Sequence, residues 1–384
     1  MDAKIVVGLG YGDEGKGITT DYLSSKSPKA TVVIRYSGGQ QAGHTVEING
    51  KRHIYATFAS GTGRGLPTYL SEYCTFYPPF ALNEYVTLID KGLRPSLYIH
   101  PLARLTSYWD VAWGRFRERI VNHGSCGMGV GATMHRHEQS PYKLFIIDLT
   151  NEEILREKLN EMGRYYRERV QDSNCYSHID RDYFDEQVKV NKRNFEQAIG
   201  SDWMKYIIKE RIHGYNRIKA FHESFIFEGS QGILLDMDHG VFPNVTYSNT
   251  TSKNALDICK KLGIHEHDIS IYYITRCYLT RHGYGWLPSD KEIDLIHCSN
   301  ETNISNEWQK DFKIRELDIS LLNYALEVDK SYSAGLEKNL VITCLDQRPN
   351  FDLKVLKELE TPFTNVFSSW SPDSKDFKWV PAIK

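Results

Sequence analysis

The segment Gly10-Tyr11-Gly12-Asp13-Glu14-Gly15-Lys16-Gly17 follows directly on the apolar run Ile5-Val6-Val7. A strand that runs into a glycine loop and then a helix commits a chain to an α/β sheet. The loop's bare N–H groups and the helix N-terminus together form a phosphate cradle. The spacing Gly10-x4-Gly15-Lys16 fits a Walker-type loop in which Lys16 meets the phosphate charge. Two departures change its chemistry. Gly17 stands where a magnesium-binding Ser or Thr belongs, and the carboxylates Asp13 and Glu14 sit inside the loop. A carboxylate beside bound phosphates makes sense if it holds a metal or moves a proton; the plainer alternative is that Asp13 caps the helix.

Other segments extend the same sheet. Ile5–Leu9, Thr31–Tyr36, Phe225–Phe227, Ile269–Ile274 and Leu340–Thr343 read as buried strands, each followed by a polar or glycine-containing loop. Val46–Asn49 and His53–Phe58 flank an Asn49-Gly50 turn and read as a hairpin. The expected fold is a mostly parallel central sheet of P-loop-like type, with helices on both faces. In such sheets ligands collect at the strands' carboxyl ends. Residues 151–224 are charged, Tyr-rich and helix-spaced, which reads as a helical insertion supporting the sheet within one domain spanning 1–384.

Composition narrows the function classes. The 384 residues carry 47 basic and 49 acidic side chains, a net charge of −2, so no nucleic-acid footprint is expected. No apolar run reaches the roughly 18 residues of a membrane helix. The chain opens on a charged residue and a strand, which reads as lacking a signal peptide. Seven cysteines, odd in number and without a CxxC pair, read as reduced thiols of a cytoplasmic protein.

Three further loops carry chemistry. Gly43-His44-Thr45 lies in a glycine-lined loop where backbone can approach a ligand, and it pairs with the first loop at one sheet edge. Gly124-Ser125-Cys126-Gly127-Met128-Gly129 reads as a backbone anion nest with hydroxyl help from Ser125. In the stretch Phe227–Thr251, Gln231 is placed to read a purine edge or ribose and Thr246 to meet a phosphate. Asp236, Asp238 and His239 there suit either metal ligation or the tying of turns.

Taken together, Gly12–Gly17, Ala42-Gly43-His44-Thr45, the long Phe227–Thr251 stretch and Thr280-Arg281-His282-Gly283 resemble the signatures of adenylosuccinate synthetases. That resemblance implies a two-step, magnesium-dependent ligase. Asp13 would take the purine N1 proton, and His44 would assist at O6 as it receives the γ-phosphate. The amine of L-aspartate would then displace that phosphate at C6. Magnesium would be held by Asp13 and the Gly43 carbonyl. The triphosphate would meet Gly12, Asp13, Glu14, Gly15, Lys16, Gly17, Gly43, His44, Thr45, Asp346, Gln347, Ser371 and Pro372. The substrate nucleotide would meet Asp13, Gln41, Ser125, Cys126, Gln231, Leu235, Thr246 and His282. The resemblance also implies a homodimer acting on small molecules, with no nucleic-acid or membrane partner.

Departures from the family pattern locate a branch. The family's Thr-Lys-Leu-Asp at the donor base is Thr343-Cys344-Leu345-Asp346 here, and its Ser-x-Gly-Pro-Asp loop carries Ser371 for Gly. The arginine-rich aspartate loop is replaced by Thr302-Asn303, Asn306-x-Trp308-Gln309 and Arg315. This pattern resembles the bacteriophage branch, which aminates dGMP with ATP towards 2-aminoadenine nucleotides, and implies L-aspartate contacts from Thr302, Asn303, Gln309 and Arg315. Asp13, which some members of that branch replace with Ser, is kept. The retained Asp346 leaves guanine recognition open. The alternatives are an ordinary family enzyme using IMP and GTP, or, from another class, a P-loop switch protein without ligase activity.

Overall fold

Alternation decides the architecture. In Asp2–Gly8 (β1), Ile5 and Val7 join one hydrophobic cluster while Val6 joins another. The same split recurs at Val32 and Ile34 against Val33, and at Phe225 and Phe227 against Ile226. Period-two side chains that are apolar on both sides need cover on both faces, which is the signature of a central parallel sheet.

The structure, a computed structural model, describes residues 1–48, 50–121, 127–171, 177–283, 285–288, 293–296 and 312–380. Its main sheet adds Thr31–Arg35 (β2), Thr68–Leu70 (β3), Leu97–Ile99 (β4), Ser224–Glu228 (β5), Ile269–Arg276 (β6), Glu337–Thr343 (β7), Asn365–Ser369 (β8) and Phe377–Val380 (β9). Among the described residues the nine strands run in the order β9-β8-β7-β6-β1-β5-β2-β3-β4. All neighbours are parallel except β8 and β9. The expected sheet is therefore present, with β1 at its centre. The helix Lys16–Lys26 covers one face, while Lys253–Leu262 and Ile319–Ser333 contribute to the cluster on the other. The expected hairpin is there too, as His44–Ile48 paired antiparallel with Lys51–Tyr55.

The helices expected in 151–224 form, but not over the sheet. Glu152–Gln171 opens on Asn151, whose side chain accepts from the Glu153 and Ile154 amides at 3.1 Å. His178–Ile199 opens on a Ser177–Asp180 capping box. Their stripes, Leu155-Met162-Tyr166-Val170 and Phe184-Val188-Phe195, pack on Tyr108–Val121 and Pro78–Asp90. This second core joins the sheet at its outer edge, through Leu70, Leu97 and Ile99. The stretch reaches the sheet's own core at its end, where Tyr215–Lys219 packs against Lys253–Leu262.

Candidate active site

The parallel strands all point their carboxyl ends to one edge, and charged residues terminate three of the buried ones. Arg35 ends β2, Glu228 ends β5 and Arg276 ends β6, and all three are buried. A cavity of about 400 Å³ opens there.

Its walls draw on every loop singled out in the sequence that the structure describes, apart from the anion-nest loop. The phosphate loop supplies Gly12, Asp13, Gly15, Lys16 and Gly17. The second loop supplies Gln41, Gly43, His44 and Thr45, and the long Phe227–Thr251 stretch supplies Gln231 and Leu235. His282, Asp346, Gln347, Ser371 and Pro372 complete the set. Glu14 faces the other way. It is buried beneath the loop, where its carboxylate accepts from the Gly10 and Gly12 amides at 3.0 and 2.7 Å and from Lys16 Nζ. Glu14 therefore braces the loop and does not line the cavity. Thr246 also stands back, its amide donating to the Leu235 carbonyl at 2.8 Å. Arg315 lies on the strand Phe312–Glu316, outside the cavity wall, and its Nη1 donates to the neighbouring Ile314 carbonyl. Ser125, Cys126, Thr302, Asn303 and Gln309 fall outside the described residues.

Gly17 has a packing explanation. A Cβ there would lie 2.9 Å from His44 Cβ and 3.2 Å from Ser60 Oγ. The second loop packs onto the helix start so closely that no Ser or Thr fits. The missing Walker hydroxyl and the approach of His44 are one structural fact.

Backbone strain gathers at this site. The non-glycine residues with positive φ among those described are Asp13 at 61°, Gln231 at 51° and Cys344 at 61°, and all three line the cavity. Each such residue costs on the order of 1–3 kcal/mol, so surrounding contacts must hold it. For Asp13, Arg276 Nε donates to its carbonyl and His282 Nε2 lies 3.2 Å from its carboxylate. Burial raises the Asp13 pKa, but the hydrogen bond and charge of His282, with Arg276 and Lys16, outweigh it and leave the carboxyl below its ordinary value.

His44 is held from behind. Its Nδ1 lies 2.8 Å from Glu228, which also accepts from the Ser60 amide at 3.1 Å and the Ser60 hydroxyl, with Arg35 Nε 3.9 Å away. Burial favours the uncharged Glu228, yet His44, Arg35 and Ser60 pull its pKa down to about 2. Burial lowers His44 despite that carboxylate. His44 Nδ1 thus faces a buried carboxylate, an arrangement that would stabilise an imidazolium if negative charge develops in the cavity.

Asp236 settles as a turn tie. Its carboxylate accepts from the Asp238, His239 and Thr250 amides at 2.9, 3.2 and 2.6 Å. Sequence reading gave no role to Glu228, Arg276 or Tyr11, which also lines the cavity. The available signal was a charged residue closing an otherwise apolar strand.

Comparison with known proteins identifies the family and the fold. The family model "Adenylosuccinate synthetase" matches residues 5–356. The adenylosuccinate synthetase of Mycoplasma mycoides is 28% identical over 98% of this chain and 82% of its own length. That of Chlorobium chlorochromatii is 31% identical over 90% of this chain and 78% of its own. Two solved structures share the fold at 17% identity. Fully ligated adenylosuccinate synthetase from Plasmodium falciparum has a TM-score of 0.71 and is matched over 98% of this chain and 99% of that one. The cyanophage S-2L succinoaminodeoxyadenylate synthetase bound to dGMP and dATP has a TM-score of 0.65, over 100% and 96%. No helix among the described residues is long and apolar enough to cross a membrane. The chain belongs to the adenylosuccinate synthetase family, carbon–nitrogen ligases that join aspartate to a purine nucleotide.

Proposed function

We propose that this chain makes N6-succino-2-amino-2'-deoxyadenylate from dGMP, L-aspartate and ATP, releasing ADP and phosphate. The observation that carries the chemistry is the meeting, on one cavity wall, of the phosphate loop, the Asp13 carboxylate and the Glu228-backed His44. Asp13 accepts the N1 proton, so that O6 gains the electron density to attack the γ-phosphorus. Lys16 and the loop N–H groups hold the triphosphate in line, and His44 meets the charge that develops at O6. Phosphorylation turns O6 into a good leaving group, which the aspartate amine displaces at C6.

Magnesium fits this wall. Among the described residues no cluster of three His, Cys, Asp or Glu side chains forms a metal cage. Magnesium instead favours one or two carboxylates plus substrate phosphates. Asp13 and the Gly43 carbonyl would hold it, and when bound it offsets charge between donor and acceptor.

The choice of dGMP and ATP rests on the replaced donor-base and aspartate loops. Cys344 stands where the family carries Lys, and Thr302, Asn303 and Gln309 replace its arginines. The resemblance also assigns Arg315 to aspartate, although it lies on a strand outside the cavity wall, and the active form is a homodimer. One residue favours the ordinary reaction with IMP and GTP. Asp346, the family's guanine reader, remains in the wall. A matrix of dGMP, GMP, IMP and dIMP against ATP, dATP and GTP decides between them. The proposal expects the highest kcat/KM for dGMP with ATP, and equal or better turnover of IMP with GTP rejects it. Phosphate release that needs neither aspartate nor a purine monophosphate would reject the ligase reading as a whole.

A further inference from the structure

Asp13 has the left-handed backbone that L-residues avoid, at φ 61°, and it carries the carboxylate on which the proposed chemistry turns. Two side chains from one segment grip it. Arg276, the last residue of β6, donates from Nε to the Asp13 carbonyl. Its Nη1 also donates to the Tyr278 hydroxyl at 2.9 Å, and that hydroxyl donates to Gln347 Oε1 at 2.7 Å. The main chain of Asp13 is thereby tied to the loop assigned to the donor base. His282 closes the strand Tyr278–His282, which pairs antiparallel with Phe312–Glu316. Its ring lies 4.8 Å from that of Phe312, and its Nε2 reaches the Asp13 carboxylate at 3.2 Å.

We propose that His282 is a positioning residue: it acts through Asp13, fixing the carboxylate rotamer while Arg276 fixes the backbone beneath it. This differs from the direct nucleotide contact that the sequence resemblance implies for His282, and it rests on the ligase reading of the site. A carboxylate on a strained residue facing an open cavity has several rotamers available. One donor from a packed, strand-borne ring selects among them before substrate arrives. The same strand pair places this donor next to Phe312, at the start of the segment that carries Arg315.

The test compares His282→Ala, His282→Gln and His282→Asn in the full-length protein. Aspartate-dependent turnover by the unaltered protein tests the ligase reading itself, so failure of that reading and failure of the clamp are seen separately. The clamp predicts that His282→Ala lowers kcat about 100-fold, the order of loss expected when a reacting group shifts by about 1 Å. Both nucleotide KM values, and nucleotide binding by calorimetry, should stay within about threefold, since only a step after binding is affected. The Gln amide nitrogen reaches the place of Nε2, and the Asn amide reaches only that of Nδ1. His282→Gln should therefore recover most of the rate and His282→Asn should not. An unchanged kcat in His282→Ala, a raised KM with kcat kept, or equal loss in the Gln and Asn variants would overturn the proposal. If His282→Ala does not fold, the Gln and Asn pair still decides.

Discussion

Asp110 lies in the helical layer, fully buried, and accepts from the Ser107 amide and hydroxyl at 2.8 Å, from Arg136 at 2.8 and 2.9 Å, and from Tyr166 at 2.7 Å. Asp13, at the carboxyl edge of the sheet, sits on a strained backbone with its side chain a quarter exposed to the cavity and His282 beside it. A carboxylate offers about four acceptor sites. Asp110 uses all of its capacity on the protein, whereas Asp13 keeps capacity towards whatever enters the cavity. The buried carboxylate is fully spent on the protein in one region and left partly open to a ligand in the other.

Truncation should separate the two most sharply. Asp13→Ala should lower turnover by about 1,000-fold or more, within the range for a positioned acid–base group, while nucleotide binding and melting temperature hold. His44→Ala should lower turnover as much but also lower the melting temperature, because it leaves the buried Glu228 without its imidazole partner. Steady-state kinetics with calorimetric binding checks this, and retained turnover in either variant removes that residue's role. Asp110→Ala should do the reverse. It strands Arg136 in the core and should cost about 3–5 kcal/mol of stability by denaturant titration, with KM values of the folded enzyme unchanged. Gly17→Ser, which would restore the Walker hydroxyl, should instead push His44 aside and lower kcat about 30-fold, a loss of about 2 kcal/mol of transition-state stabilisation. A gain in rate would show that the close approach of His44 is dispensable.

Acid is the gentlest probe. Glu228 is held at about 2 against an ordinary 4.5, so its stabilising contribution is complete above 4.5 and is lost as pH falls through about 2. The Arg136 contacts outweigh burial at Asp110 and depress it as well. The melting temperature should therefore fall progressively below about pH 4.5, and Glu228→Gln should flatten part of that slope. An unchanged slope would mean that the Glu228 pairing adds no stability.

Local chemistry made the core of this site legible in sequence. A strand, a glycine loop and a lysine at fixed spacing are read within one window, and so is an Asn-Gly hairpin. Strand ends were less legible because pairing crosses polar residues. Lys4 pairs with Ser270, and Glu337 pairs with Ser270 from the other side, so β1 and β7 begin earlier than their apolar runs. The three-residue strands β3 and β4 are too short to show a period, and β8 and β9 were likewise not read. Asp13 and Glu14 look equivalent in the loop, and only the fold turns Glu14 inward to its amides. The helices of the insertion announced themselves by their charged, helix-like spacing. Their partner, Tyr108–Val121, did not, because which stripe meets which is a tertiary matter.

The central claim is that this strained edge phosphorylates the oxygen at C6 before aspartate attacks. It can be followed with one label. A purine monophosphate substrate carrying oxygen-18 at the six-position is turned over with ATP or GTP and L-aspartate, and the released phosphate is analysed by mass spectrometry. The label should appear in that phosphate, one atom per turnover. Product formed while the phosphate stays unlabelled would contradict the account.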